Sequence, residues 1–196
     1  MNVKVFLFLI VFSIAPILLI GQNVKLGYNF DFINPGFTAG YEHLYKIKNN
    51  ERKLKSGKIR SSKWESIISG NIGFYHHTGF HDNIYVTFGW AKRRVSAKGF
   101  YFDFSPEIGL SRTFVAGTTY NIENPDNIEI KSSSGYFYPL LGLGFGIGHD
   151  FSARNKNIPI MASLNIKGIA MYPYNSFFYL RPIVELGLIY RIKQVK

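Results

Sequence analysis

The 196-residue chain contains no cysteine. A disulfide framework, thiolate metal sites and a lipoprotein anchor are therefore excluded. After Val5 to Ile20, no stretch is both apolar enough and long enough for a membrane helix. Acidic residues are scarce: 12 Asp and Glu face 23 Lys and Arg, a formal net charge of +11 at pH 7. The glycine-rich stretch Gly142 to Gly148 has neither the lysine nor the strand-turn-helix context of a phosphate loop, so it is not a nucleotide site. Aromatic residues, by contrast, reach 17%, mostly 18 Phe and 13 Tyr, at a mean hydropathy of only +0.01. Such values suit a chain in which only alternate residues need be apolar.

Met1 to Lys4 form a short cationic lead, and the apolar run Val5 to Ile20 follows, interrupted only by Ser13 and Pro16. This pattern resembles a Sec-type signal peptide over residues 1–21, with cleavage near Gly21-Gln22. The run falls short of the ~20 residues of a spanning helix. Residues 22–196 are enough for one domain.

The most informative stretch is Leu140 to Gly148. Leu141, Leu143, Phe145 and Ile147 occupy one parity and Gly142, Gly144, Gly146 and Gly148 the other. A two-residue period means a β-strand with two unlike faces. Glycine is depleted in ordinary strands. A greasy face against lipid and a bare face inside a narrow closed barrel explain the combination.

Eight segments share the alternation: Val24 to Phe32, Phe37 to Ile47, Trp64 to His77, Asn83 to Arg93, Phe100 to about Tyr120, Tyr136 to Phe151, Ile158 to Tyr172 and Phe177 to Lys193. A soluble sandwich could show the same alternation. Three features favour a membrane barrel: strands longer than the usual ~5 to 6 residues, glycine-rich polar faces, and Tyr, Phe and Trp gathered at strand ends like interfacial girdles. The expected fold is an all-β, antiparallel, up-and-down transmembrane barrel of about eight strands. An even count places both termini on the periplasmic side. The outward loops would then be Ile33 to Gly36, Thr78 to Asp82, Asn121 to Gly135 and Pro173 to Ser176. The periplasmic connections would be Lys48 to Lys63, Arg94 to Lys98 and Ser152 to Asn157.

Charge is uneven along this plan. Lys46, Lys48, Arg52, Lys53, Lys55, Lys58, Arg60 and Lys63 stand against Glu51 alone, and Arg93 and Arg94 add to the same end. Asp82, Glu123, Asp126 and Glu129 fall in the outward loops. The basic rim (Lys53, Lys55, Lys58, Arg60, Arg93, Arg94) suits anionic headgroups or an acidic periplasmic partner; a merely solvated loop would look the same. No nucleic-acid motif accompanies it.

The inward faces carry Glu65, Asp103, Glu107, Lys167, Arg181, Glu185 and Arg191. In a narrow barrel such charges pair across the interior and leave no channel. Asp103, Glu107, Lys167, Arg181 and Glu185 are the expected lumen network, and the glycine ladder supplies the space their side chains need. Glu107 and Glu185 could alternatively act as acid and base, but no nucleophile with a nearby base accompanies them. His76, His77 and His81 beside Asp82 are weak metal candidates: the chemistry fits, yet adjacent strand residues point to opposite faces. No cofactor is implied.

With these features assembled, the chain resembles the small outer-membrane β-barrels of Gram-negative bacteria, similar in plan to the OmpA-like transmembrane domain. Gly70 to His77 and Ser111 to Tyr120 resemble segments of an uncharacterised family of such barrels. Val184 to Ile192 resembles the last-strand signal read by the barrel assembly machinery, although the tail Lys193 to Lys196 replaces the usual aromatic end. The resemblance implies outer-membrane lipids and that machinery as partners. It also implies a non-enzymatic structural, adhesive or accessory role through the loops and the rim. A lipid-modifying enzyme, and a narrow pore or binder of small hydrophobic ligands, are the alternatives.

Overall fold

The computed structural model describes residues 23–31, 34–53, 57, 59–117, 119–124, 127–131, 134–174 and 177–192. The predicted signal peptide, 1–21, lies outside them. Eight strands form a closed ring: β1 (Asn23–Asp31), β2 (Asn34–Lys53), β3 (Ile59–His77), β4 (His81–Ser96), β5 (Phe100–Val115), β8 (Phe137–Asp150), β9 (Ile160–Tyr174) and β10 (Phe177–Arg191). A separate hairpin, β6 (Thr119–Asn124) and β7 (Asn127–Lys131), is inserted between β5 and β8. Every ring neighbour pairs antiparallel, and β1 closes the ring against β10 through Asn23↔Arg191 to Phe30↔Val184. Both ends of the described chain therefore lie at one mouth, here termed the terminal end.

The alternation read from the sequence determines which way each side chain faces. On β1, Val24, Leu26, Tyr28 and Phe30 face out, while Asn23, Lys25, Asn29 and Asp31 are buried inside. The outer face is an unbroken apolar belt. Leu180 (72%), Phe88 (65%), Phe37 (63%), Ile108 (63%) and Leu141 (63%) stay exposed, which only a lipid solvent makes favourable over so large an area.

Two stretches differ from the sequence expectation. Lys48 to Lys63 is not a long connection: β2 and β3 stay paired as far as Lys53↔Ile59, a hairpin continuing past the barrel wall. Its polar run conceals a ladder that needs no core, because exposed backbone can pair whatever the side chains are. Asn121 to Gly135 likewise contains a hairpin, and β5 ends at Val115 rather than near Tyr120. There Tyr120 pairs with Ile130 and Ile122 with Ile128 in a short ladder of its own.

One irregularity matters for the outer surface. Between Leu44 and Lys46 the β2–β3 register shifts, leaving Tyr45 as an extra residue. Leu44 opposes Ile67, but Lys46 opposes Ser66 and Lys48 opposes Trp64. This bulge reverses parity, so Lys46 and Lys48, which share the even parity of inward-facing Glu42, face outward instead.

Candidate functional site: a packed lumen and an outer basic collar

The lumen is filled in layers. At the terminal mouth, Arg191 reaches Asp150 (2.9 Å) and Glu65 (3.6 Å), and Lys63 meets Glu65 at 2.7 Å. Behind this lies an apolar layer of Val95, Tyr101, Met161 and Ile189. The next layer centres on Arg93. Its Nη1 and Nη2 grip both oxygens of Glu42 at 3.1 and 2.9 Å, while Nε and Nη2 donate to Asp103 Oδ2 at 3.2 and 3.1 Å. Its guanidinium also lies 4.8 Å from the ring centre of Tyr101. A planar fork shared by two carboxylates is the geometry in which a buried arginine is best satisfied.

A transverse polar chain follows. Lys25 Nζ contacts Glu185 at 2.6 Å, and Lys167 Nζ lies 3.6 Å from Glu185 and 3.2 Å from Glu107. Thr87 Oγ1 donates to Glu107 (3.1 Å), and Asn71 Nδ2 donates to Thr87 (3.2 Å). Six strands supply these side chains. The other two, β2 and β8, lie opposite each other in the ring and present Gly40 and Gly142 to Gly144 at this level. A Cβ on Gly144 would come 3.3 Å from Lys167 Cγ, and one on Gly142 would come 3.4 Å from Glu107 Cβ. One on Gly146 would fall on Asp103 and Asn165. The ladder is therefore the space in which the charged side chains lie.

A second apolar layer, Tyr75, Tyr85, Tyr138, Leu140, Ile169, Met171 and Ile183, closes the other half. Arg181 pairs with Asp31 and covers the Tyr75 ring, 3.4 Å from its centre. A water-filled pore would leave these groups wetted; instead Met161 is 0% exposed, Met171 1% and Glu185 1%.

The structure brings Asp103, Glu107, Lys167, Arg181 and Glu185 into the lumen, all buried. It does not make one cluster of them: Glu107, Lys167 and Glu185 share the transverse chain, Asp103 belongs to Arg93, and Arg181 belongs to Asp31. Lys25, Asp31 and Glu42 complete these layers. Strand alternation puts them on the polar faces with Asn29 and Thr38, but it does not say which charges they meet, and they were not among the expected lumen network.

One rim residue needs correction. Arg93 is not on the basic rim; it is 2% exposed in the lumen, because β4 runs on to Ser96 and the inward parity of Thr87 and Ala91 continues through it. Arg94, Arg60 and Lys53 are exposed, and Lys55 and Lys58 lie outside the described residues. The three histidines and Asp82 separate into two groups. His76 Nδ1 lies 2.6 Å from Asp82 Oδ1 on the exposed face, whereas the His77 and His81 rings stack in parallel at 5.3 Å and His81 Nε2 meets Tyr75 OH at 3.2 Å. Among the described residues no group of three or more His, Cys, Asp or Glu gathers to hold a metal.

Among the described residues seven carboxylates (Asp31, Glu42, Glu65, Asp103, Glu107, Asp150 and Glu185) are buried, against four cations, Lys25, Arg93, Lys167 and Arg181. The outer surface is consequently more cationic than the net charge states. Its densest part crosses β2, β3 and β4 just beyond the apolar belt at the terminal end. Lys46 and Lys92 flank Ser66, and Lys48 and Arg94 flank Trp64 one row further out. Arg94 lies 5.6 Å from the Trp64 ring centre, and Lys92 lies 5.9 Å from those of both Trp64 and Trp90. Trp90 Nε1 donates to Tyr45 OH at 2.7 Å, so the bulged residue braces the floor.

A closed eight-stranded up-and-down ring with an apolar outside and a packed polar inside is the fold of the small outer-membrane β-barrels. No protein-family model matches the chain, and no curated protein matches it in sequence. Solved structures do. The N-terminal β-barrel domain of Pseudomonas aeruginosa OprF matches with a TM-score of 0.51 at 14% identity, over 88% of this chain and 98% of that domain. Neisserial surface protein A matches at 0.45 and 9%, over 87% and 94%. The Yersinia pestis outer membrane protein Ail in a phospholipid bilayer nanodisc matches at 0.45 and 12%, over 88% and 99%. At these identities the likeness is one of fold.

Proposed function

We propose that the protein is an integral outer-membrane barrel whose interior is a folded core rather than a conduit, and whose work is structural, adhesive or accessory. The observation that carries this reading is the layered lumen. Two apolar layers and the ion-paired layers leave the central side chains buried, with little accessible surface. Glu107 and Glu185 are committed to Lys167, Lys25 and Thr87, a structural use of carboxylates that supports a non-enzymatic role. Function then falls to the two ends, the inserted β6–β7 hairpin at one mouth and the basic collar at the other.

Planar-bilayer recording tests the reading: purified protein is expected to insert without steady conductance, and a reproducible open-channel current would overturn it. Fractionation with outer membranes and heat-modifiable gel migration test the membrane half of the statement. Recovery as a soluble monomer without detergent would refute that half.

A further inference from the structure

The collar contains an arrangement that folding alone does not require. Lys46 and Lys48 on β2 and Lys92 and Arg94 on β4 occupy two adjacent rows on either side of β3, about 10 Å apart across it and about 6.6 Å apart along each strand. Four like charges at these separations repel one another on a bare sheet surface. Among the described residues none of the four has a carboxylate partner, while Glu65, their nearest acid by register, points inward to Lys63 and Arg191. The bulge at Tyr45 is what turns Lys46 and Lys48 outward, so the backbone itself is bent to build the cluster.

The surroundings define what could neutralise it. Lys46, Lys48 and Lys92 line a hollow of about 690 Å³ over Tyr45, Trp64 and Trp90. Indole and phenol rings at the edge of an apolar belt mark the headgroup level of a bilayer. One row toward the belt stand Ile68 and Trp90, then Phe88, all exposed, a track for an acyl chain descending from the hollow. A phosphate at the mouth and a hydrocarbon tail below are the two halves of one molecule.

We propose that this hollow binds the phosphate of an anionic phospholipid in the leaflet that surrounds the terminal end of the barrel. The proposal rests on the membrane reading above and adds a site, a ligand class and a leaflet to it. A soluble acidic protein would find the cations but would have no use for the apolar track beneath them.

The chain has only two tryptophans, Trp64 and Trp90, and both floor the hollow, so tryptophan fluorescence, excited at the red edge where tyrosine does not absorb, reports on this site alone. The mature barrel is reconstituted in phosphatidylcholine vesicles containing equal fractions of brominated phosphatidylglycerol or brominated phosphatidylcholine. Stronger quenching by the anionic lipid is expected, fading in high salt. Each cation removed, in Lys46→Gln and then Lys46→Gln/Lys92→Gln, is expected to lower that preference up to roughly fivefold. Arg154→Gln, an exposed cation of the same mouth outside the hollow, should leave it unchanged. Equal quenching by the two lipids would overturn the site, as would a preference that survives Lys46→Gln/Lys92→Gln or falls equally in Arg154→Gln. Quenching by neither lipid, with no heat-modifiable migration, would remove the membrane reading and the site together.

Discussion

Arg93 and Arg94 are neighbours in the chain and opposites in the structure. Arg93 is buried in the lumen, held by Glu42 and Asp103 on both edges of its guanidinium. Arg94, one residue on, is exposed over Trp64, on the other side of β3 from Lys48. The contrast extends to the two surfaces they represent. Inside, each cation has a carboxylate, because an unpaired charge out of water costs several kcal/mol. Outside, the cations of the collar have none, because headgroup and solvent can supply the countercharge. Identical residue types thus serve cohesion on one face of a strand and recognition on the other, and a two-residue period separates the roles.

That comparison can be broken from the inside first. Arg93→Ala leaves Glu42 and Asp103 buried against each other, and the expected loss is about 3–5 kcal/mol, measured by urea unfolding in detergent micelles. Replacing the whole cluster, Arg93→Met with Glu42→Gln and Asp103→Asn, should recover most of that loss, since neutral groups of similar shape leave no orphaned charge. If the triple variant were as unstable as Arg93→Ala, the pairing account would be wrong. Next comes the space those groups need. Gly146→Ala would push a methyl onto Asp103 and Asn165 and should cost about 1–3 kcal/mol. Smallest on this scale is Arg94→Ala, expected within about 0.5 kcal/mol of the parent while weakening the preference for anionic lipid. A large stability loss there would show the collar to be part of the fold rather than a surface apart.

Much of this was legible in the sequence because strand parity is a strict code. The outward run Leu141, Leu143, Phe145 and Ile147 and the inward charges Glu107, Lys167, Arg181 and Glu185 follow directly from counting by two. The glycine ladder announced the crowding of the lumen, though not which side chains crowd it. Arg93 was misplaced for a physical reason: at a strand end, a basic residue among basic residues reads as rim, and only the continuation of β4 to Ser96 shows otherwise. The collar was hidden more deeply. A bulge is one unpaired residue with no compositional mark, so nothing in the even numbers of Lys46 and Lys48 announces that they leave the parity of Glu42. Cross-strand neighbours such as Ser66 between Lys46 and Lys92 depend on register, which no single segment contains.

The seam between β1 and β10 carries two of the buried ion pairs, Lys25 with Glu185 and Asp31 with Arg181. A ring of strands must choose an alignment for its first and last members, and the candidates differ by whole residues. A slip of one residue would turn every charge of the arriving strand toward lipid and every apolar side chain inward. A slip of two keeps the faces correct but, in the direction that sets Asp31 opposite Glu185, moves each cation about 6.6 Å further from its acid. Hydropathy thus rejects the odd alignments, and charge rejects the even slips in that direction. The chain closes on itself as a lock with two independent wards.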